Sequence, residues 1–429
     1  MFKLLYKRNV SIVLFVGFLV LNLYYFTSNF FLFFLNEGNN ADEYYENNLY
    51  SITTISIEKI FYSQAQPYIF ISSCFNSILN TPKIATRLVS LVVCLMLIFY
   101  FLKKINSAKC DLLEKIYKST LFVCAIFITN QMYIGTSDFL SFVFIVPAFL
   151  IILESIAFGK INLTIKQSCV VGMLFALSLA TRPTAIVLIV AFYLSFILII
   201  GLKKMFCKEN YIIGISCLFF FFVINFLPII EQNRVVLDVK EVPKETGVTW
   251  FQINYLMAKN VDSKKTSSIK WLTVQEVIDF KKANPNFVFP KNQIDLLLKE
   301  PGLYFRQMIR MFVKSSYSSY RFMYLLFPIL FLSFLKKGKI KNCLILNYAS
   351  EREDFQNKIV VIFYVLSILF FSFLAVKMME YRWVIPVLIL YAYFSLSYLS
   401  KFTEKARFLI YNLSFISGIV MYVMFFIKT

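Results

Sequence analysis

The feature that most constrains this chain is a succession of apolar runs, many of bilayer length, separated by short basic stretches. The first, 11–34, contains no charged residue and is long enough to cross a hydrocarbon core of about 30 Å. Others follow near 84–102, 119–134, 139–158, 168–181, 184–202, 211–230, 322–335, 359–376, 383–400 and 408–427. With 59% hydrophobic and 18% aromatic residues, the composition lies outside the range of soluble globular domains. The expectation is an all-α polytopic membrane protein with about eleven transmembrane helices, of which 168–181 and 322–335 are short.

The charges set an orientation. A net charge of +20 would suit a nucleic-acid binder if it were gathered in one domain or tail, but the basic residues lie between the apolar runs. Segments 1–8, 103–118, 159–167, 203–210, 336–358 and 401–407 hold 22 of the 44 Lys and Arg, whereas 35–83 holds only Lys59 and Lys83 against five acids. By the positive-inside rule the N-terminus is cytoplasmic and 35–83 faces the far side. The first apolar run is too long for a cleaved signal peptide and lacks a small-residue cleavage site. No internal repeat divides the chain, so 1–429 reads as one integral membrane domain with two large non-cytoplasmic loops, 35–83 and 231–321. The first loop carries Ile52, Ile55, Ile57, Ile60, Phe61, Tyr68, Ile69 and Phe70 among polar residues, a pattern for short interfacial helices. In the second, Thr273 and Glu276 have capping-box spacing. Beyond Pro301, Phe305, Met308, Ile309 and Phe312 mark one helical face, and Arg306, Arg310 and Lys314 a cationic ridge suited to a lipid phosphate or to snorkelling beside anionic lipid.

Histidine is absent, which removes the usual neutral-pH base and zinc ligand, so carboxylates must carry any acid–base chemistry. Seven of the eight cysteines fall in apolar runs or cytoplasmic loops and only Cys74 lies near the far side, so no disulfide is expected. The most suggestive acids are Asp42 and Glu43, adjacent, in polar sequence just beyond the first crossing. A solvated loop or a helix start would use such a pair equally well. Asp138, in Gly135-Thr136-Ser137-Asp138, stands at another outer helix start as a substrate contact or a cap.

Several short motifs, in order along the chain, resemble those of the GT-C membrane glycosyltransferases, in particular the dolichyl-phosphate-mannose protein mannosyltransferases and the lipid A aminoarabinose transferases. They are Asp42-Glu43 after the first crossing, Gln66-Pro67-Tyr68, and Arg87-Leu88 opening the second. Ala180-Thr181-Arg182-Pro183-Thr184 is similar to that family's Arg-Pro turn, Glu300-Pro301-Gly302-Leu303-Tyr304 to its stretch before membrane re-entry, and Glu380-Tyr381-Arg382-Trp383-Val384-Ile385-Pro386 to its start of a late helix. The chain departs from the pattern at Gln66, where relatives often carry His or Lys, and the C-terminal soluble domain of some relatives is not expected here.

The resemblance implies a GT-C-like helical bundle that transfers a sugar, with inversion, from a polyprenyl phosphate donor to an acceptor hydroxyl on a cell-envelope glycan, lipid or protein. Asp42 would be the catalytic base and Glu43 would orient the acceptor or share a divalent cation, Mg or Mn, with it. Arg382, Arg182, Arg87 and Lys377 would meet the donor phosphate, each with membrane-surface snorkelling as its bland alternative. Gln66, Tyr68, Tyr381 and Asp138 would line the substrate site. An O-antigen or polysaccharide polymerase shares the aromatic-rich, multi-span look and a large outer loop. A lipid or polysaccharide flippase would predict repeated halves and charges within the crossings, and neither is visible. The expected location is the bacterial inner membrane with the site facing the periplasm, or alternatively the endoplasmic reticulum facing the lumen.

Overall fold

The computed structural model describes residues 8–35, 49, 60, 63, 65–107, 110–157, 160–233, 235, 247–263, 272–324, 326–334, 351–373 and 381–428. Among them the regular structure is helical apart from a short hairpin, β1 (Ile156–Ala157) paired antiparallel with β2 (Lys160–Ile161). It is an integral membrane protein. Five described helices are long and apolar enough to cross a bilayer, or six if a helix pair bent by 63° counts as one span.

Helix α1 (Arg8–Asn29) continues as a wider turn over Phe30–Leu35. It exposes Val13, Val20 and Leu23 outward, a stripe that suits lipid, and buries Phe18 and Asn22 completely. The buried side meets the last helix, α17 (Glu404–Lys428), where Gly418 leaves room for the Phe18 ring; a Cβ there would lie 2.3 Å from it. The Tyr422 hydroxyl donates to Asn22 Oδ1 at 2.6 Å across the same contact, which removes the cost of burying both groups.

Helix α2 (Gln66–Leu79) was expected to lie on the membrane surface, but Gln66, Tyr68, Ile69, Ser72 and Ser73 are buried against α3 (Pro82–Asn106) and the bundle. Asn80, at φ 50°, makes the tight turn, since asparagine tolerates the left-handed region, and Pro82 opens α3 where its missing N–H costs nothing. The next helices are α4 (Leu112–Phe127), α5 (Asp138–Glu154), α6 (Ile165–Thr181), α7 (Ala185–Ile200) and α8 (Lys208–Ile224). The α6–α8 pair is tightly packed because Gly172 brings the backbones together: a Cβ at Gly172 would meet the Ile213 carbonyl and Ser216 Cβ, each at 2.6 Å. Helix α8 breaks at Asn225 into α9 (Phe226–Gln232), where Pro228 cannot donate to the Ile224 carbonyl.

A second apolar cluster, separate from the main core, joins α10 (Trp250–Asp262), α11 (Val274–Ala283) and α12 (Gln293–Lys299) through Ile253, Leu256, Val277 and Leu296. The Thr273–Glu276 capping box forms as its spacing predicts. Helix α13 (Pro301–Met323) follows, and its buried face is Tyr304, Gln307, Met311, Ser315 and Ser319. Phe305 and Ile309 are 48% and 57% exposed, so that part of the expected apolar face turns away from the protein. The short run expected at 322–335 is described as α14 (Leu326–Ile329) and a tight turn to Phe334, too short to span alone; α13 leads down into the bundle before it. Helices α15 (Glu351–Phe373), α16 (Ile385–Tyr398) and α17 complete the fold.

The two ends of the bundle differ. At one end Lys104 binds Glu154, Arg407 binds Glu114 and Lys401 binds Glu353, at 2.7, 2.8 and 2.9 Å. At the other end lie Arg87, Asp138, Arg182 and Arg382, and the α10–α13 cluster is tied there by the Tyr304 hydroxyl donating to the Phe373 carbonyl at 2.8 Å.

Candidate functional site

Three of the residues singled out in the sequence converge. Pro183 disfavours helical backbone at the residue before it, so α6 ends at Thr181 and Arg182 turns extended, with φ −149° and ψ 106°. Arg382 lies in a single tight turn, Tyr381–Val384, that feeds α16. Both arginines reach Asp138, the first residue of α5. Arg182 Nε lies 3.0 Å from Oδ1, and Arg382 Nη1 lies 3.2 Å from Oδ2. The carboxylate is 1% exposed and the two guanidinium side chains are 17% and 18% exposed.

Asp138 is therefore not the cap of α5, a position held by Ser137. It is the acid that holds two cations side by side, and it also sits at the positive end of the α5 dipole. Among the described residues these three side chains sum to a charge of +1, with two guanidiniums sharing one carboxylate. A buried ion cluster of this kind is costly to assemble and is weak evidence for stability alone. Chemically it is a preorganised seat for an anion at the end of the bundle.

The neighbouring residues hold this corner together. Ser90 of α3 donates to the Thr136 carbonyl at 3.0 Å, fixing the turn before Asp138. One helical turn earlier Arg87, fully buried, donates to the Phe34 carbonyl at 2.7 Å and ties the end of α1 to the same end of the bundle. The Tyr68 hydroxyl, expected to touch substrate, is buried and donates to the Thr86 carbonyl at 2.9 Å, which joins α2 to α3. Gln66 is buried in the first turn of α2. On the cationic ridge of α13, Arg306 is engaged by Asp262 through both carboxylate oxygens at 2.8 Å, a bond that holds the Asp262 carboxyl below its ordinary range. Asp42, Glu43 and Lys377 lie outside the described residues, as does the Tyr381 side chain. Among the described residues no group of three or more His, Cys, Asp or Glu is placed to hold a metal ion.

The role of Asp138 as the common partner of Arg182 and Arg382 was missed in the sequence. A signal was present: it is an acid at the mouth of a helix whose next fifteen residues, 139–153, carry no charge. No family model, characterised protein or solved structure matches the chain.

Proposed function

We propose that the chain is a membrane glycosyltransferase that moves a sugar from a polyprenyl phosphate donor to an acceptor hydroxyl on a cell-envelope glycan, lipid or protein. The observation that carries this reading is the Arg182–Asp138–Arg382 cluster, which fixes two cations on one carboxylate at one end of the bundle. The donor phosphate seats on the two guanidiniums, and Arg87 contributes positive potential from one turn below Ser90. Asp42 and Glu43 follow, eight and nine residues after Phe34, whose carbonyl is bound at this same end.

In the proposed step the acceptor oxygen attacks the anomeric carbon from the face opposite the phosphate, and Asp42 takes the hydroxyl proton. The bond from the anomeric carbon to the phosphate oxygen breaks and its electron pair leaves with the phosphate. The phosphate gains negative charge as it departs, so fixed cations lower the barrier more than a proton donor would. Asp138 acts indirectly: it cancels the repulsion between the two guanidiniums and sets their spacing. Glu43 orients the acceptor.

In the same proposal all eleven apolar runs cross the membrane, with the short α14 region completed by α13, and the end bearing Lys104, Lys401 and Arg407 faces the cytoplasm of a bacterial inner membrane. The accumulation of Lys and Arg at that end supports the orientation. The test is the lipid-linked sugar pool and envelope glycan profile of a deletion strain, rescued by wild type or by Arg382→Ala. Accumulation of a single-sugar polyprenyl phosphate and loss of one glycan substituent, reversed only by wild type, is the expected result. Loss of chain length with all substituents retained would instead mean a polymerase.

A further inference from the structure

The end of the bundle opposite Asp138 holds a cavity of about 550 Å³ between α5, α15 and α16, open to the surface. It lies at the far end of α5, roughly 24 Å from Asp138 by helix rise, and the transferase reading makes no use of it. Its lining is polar and its charges are unequally matched. Lys104, beside the cavity, holds the Glu154 carboxylate through both oxygens at 2.7 and 2.9 Å, and Lys401 holds Glu353 at 2.9 Å. Arg352 donates only to the main-chain carbonyl of Glu154, and among the described residues no carboxylate pairs with it. The balance of these five groups is one positive charge, and it rests on the exposed Arg352 guanidinium.

A second observation points into the same space. Asn357, one helical turn past Glu353, lines the cavity at 4% exposure, and among the described residues no hydrogen bond reaches its amide. Its amide can hydrogen-bond to a polar group placed in the cavity. Tyr393 adds an aromatic wall on the α16 side.

We infer that this cavity binds a phosphate-bearing polar group, with the phosphate on Arg352, which can grip it through two N–H bonds, and the remainder hydrogen-bonded to Asn357. The volume falls in the range of small-molecule sites of about 300–1,000 Å³ and exceeds what a bare phosphate fills. The cavity lies at the ends of two helices apolar enough to span a bilayer, α15 and α16, so the group is either the headgroup of an anionic phospholipid or a free phosphate ester. Neither source depends on the proposed sugar transfer.

The test uses the full-length protein in nanodiscs of phosphatidylcholine with and without phosphatidylglycerol, read by native mass spectrometry for retained lipid, and then challenged with glycerol 3-phosphate. Wild type is expected to retain one phosphatidylglycerol that Arg352→Gln and Asn357→Leu hold about tenfold more weakly, the scale of one lost charge-assisted hydrogen bond. Arg352→Lys should recover part of the binding. Because Asn357→Leu alters a buried position, each variant is also compared with wild type by melting temperature. Arg352→Gln, at an exposed site, keeps the test valid if the other fails to fold. If glycerol 3-phosphate binds wild type, is weakened in the variants and phosphatidylglycerol is not retained, the source is a free ester. Equal retention of phosphatidylglycerol and equal binding of glycerol 3-phosphate by wild type and Arg352→Gln would overturn the site, whatever the outcome of the glycan assay.

Discussion

Asp138 Oδ2 and Arg382 Nη1 stand 3.2 Å apart, while the other oxygen of the same carboxylate faces Arg182 at 3.0 Å. The consequence is that neither arginine is independent of the acid. Removing a cation leaves the buried carboxylate with one guanidinium, whereas removing the acid takes away the charge that both guanidiniums share.

Asp138→Asn should therefore be the most damaging single change in the cluster. It keeps the shape but removes the one carboxylate that both guanidiniums share, and breaking a buried ion cluster typically costs about 3–5 kcal/mol. The partial exposure of both arginines lowers the expectation to roughly 2 kcal/mol. Thermal unfolding of the purified protein in detergent measures this. The double variant Asp138→Asn with Arg382→Gln should be less destabilised than the sum of the two single changes, by about 1–3 kcal/mol. Strict additivity would mean that the two side chains are not coupled.

For Arg382, stability and activity should separate. Arg382→Ala should reduce use of the lipid donor by about 2 kcal/mol, a factor of roughly thirty, if the guanidinium meets the phosphate. Arg382→Lys should recover only part, because a point charge replaces a planar fork. Steady-state transfer assays over a range of donor concentrations read both, and unchanged donor dependence in Arg382→Ala would return this residue to a purely structural role.

The main lines of the fold were legible because each apolar run carries its own signal. All eleven runs contain helix, and the shifts at their ends follow local chemistry: Asp111 caps α4 by accepting from the Leu113 N–H, so that helix starts before the run does. The placement of α2 was not legible, because burial of Tyr68 and Ser72 depends on which helices come to lie beside it, and nothing in the loop's own sequence encodes that neighbour. The candidate site divides the same way. Arg182 and Arg382 stood out by their positions before Pro183 and ahead of Pro386, both local features. Their meeting on Asp138 is a tertiary fact, as is the diversion of Arg306 to Asp262.

Gly172 gives a prediction about packing alone. An added methyl would press on the Ile213 carbonyl and Ser216 Cβ at 2.6 Å, and the first of these is backbone that cannot rotate away. Gly172→Ala should cost about 1–3 kcal/mol by overpacking, despite alanine's higher helix propensity, and Gly172→Leu more. Gly214, on α8 with nothing near its would-be Cβ, is the control: Gly214→Ala should be neutral or slightly stabilising in the same melt.

Orientation is checked by labelling single cysteines in intact cells, in a background with the native cysteines replaced. A cysteine at Asn40 or in the region of Lys264 should react with a membrane-impermeant thiol reagent, and one at Ser107 should not. Ser107 ends α3 two residues beyond Ile105, at the same end as Lys104 and Glu154. Reaction at Ser107 with none at Asn40 would reverse the bundle and turn the Arg182–Arg382 end to the cytoplasm.

The proposed base is tested by comparing Asp42→Asn with Glu43→Gln, changes that preserve size and hydrogen bonding while removing the carboxylate. If Asp42 takes the acceptor proton, its amide should lower turnover roughly 100-fold or more, the usual scale for general-base assistance, with expression and donor binding retained. Glu43→Gln should cost less, since orientation of the acceptor survives in an amide that still accepts a hydrogen bond. Donor binding is measured beside turnover as the internal control. Near-normal sugar transfer by Asp42→Asn would remove the base assignment and the main reason for preferring a transferase to a polymerase. Loss of expression together with donor binding would instead assign Asp42 to the folding of the loop after α1.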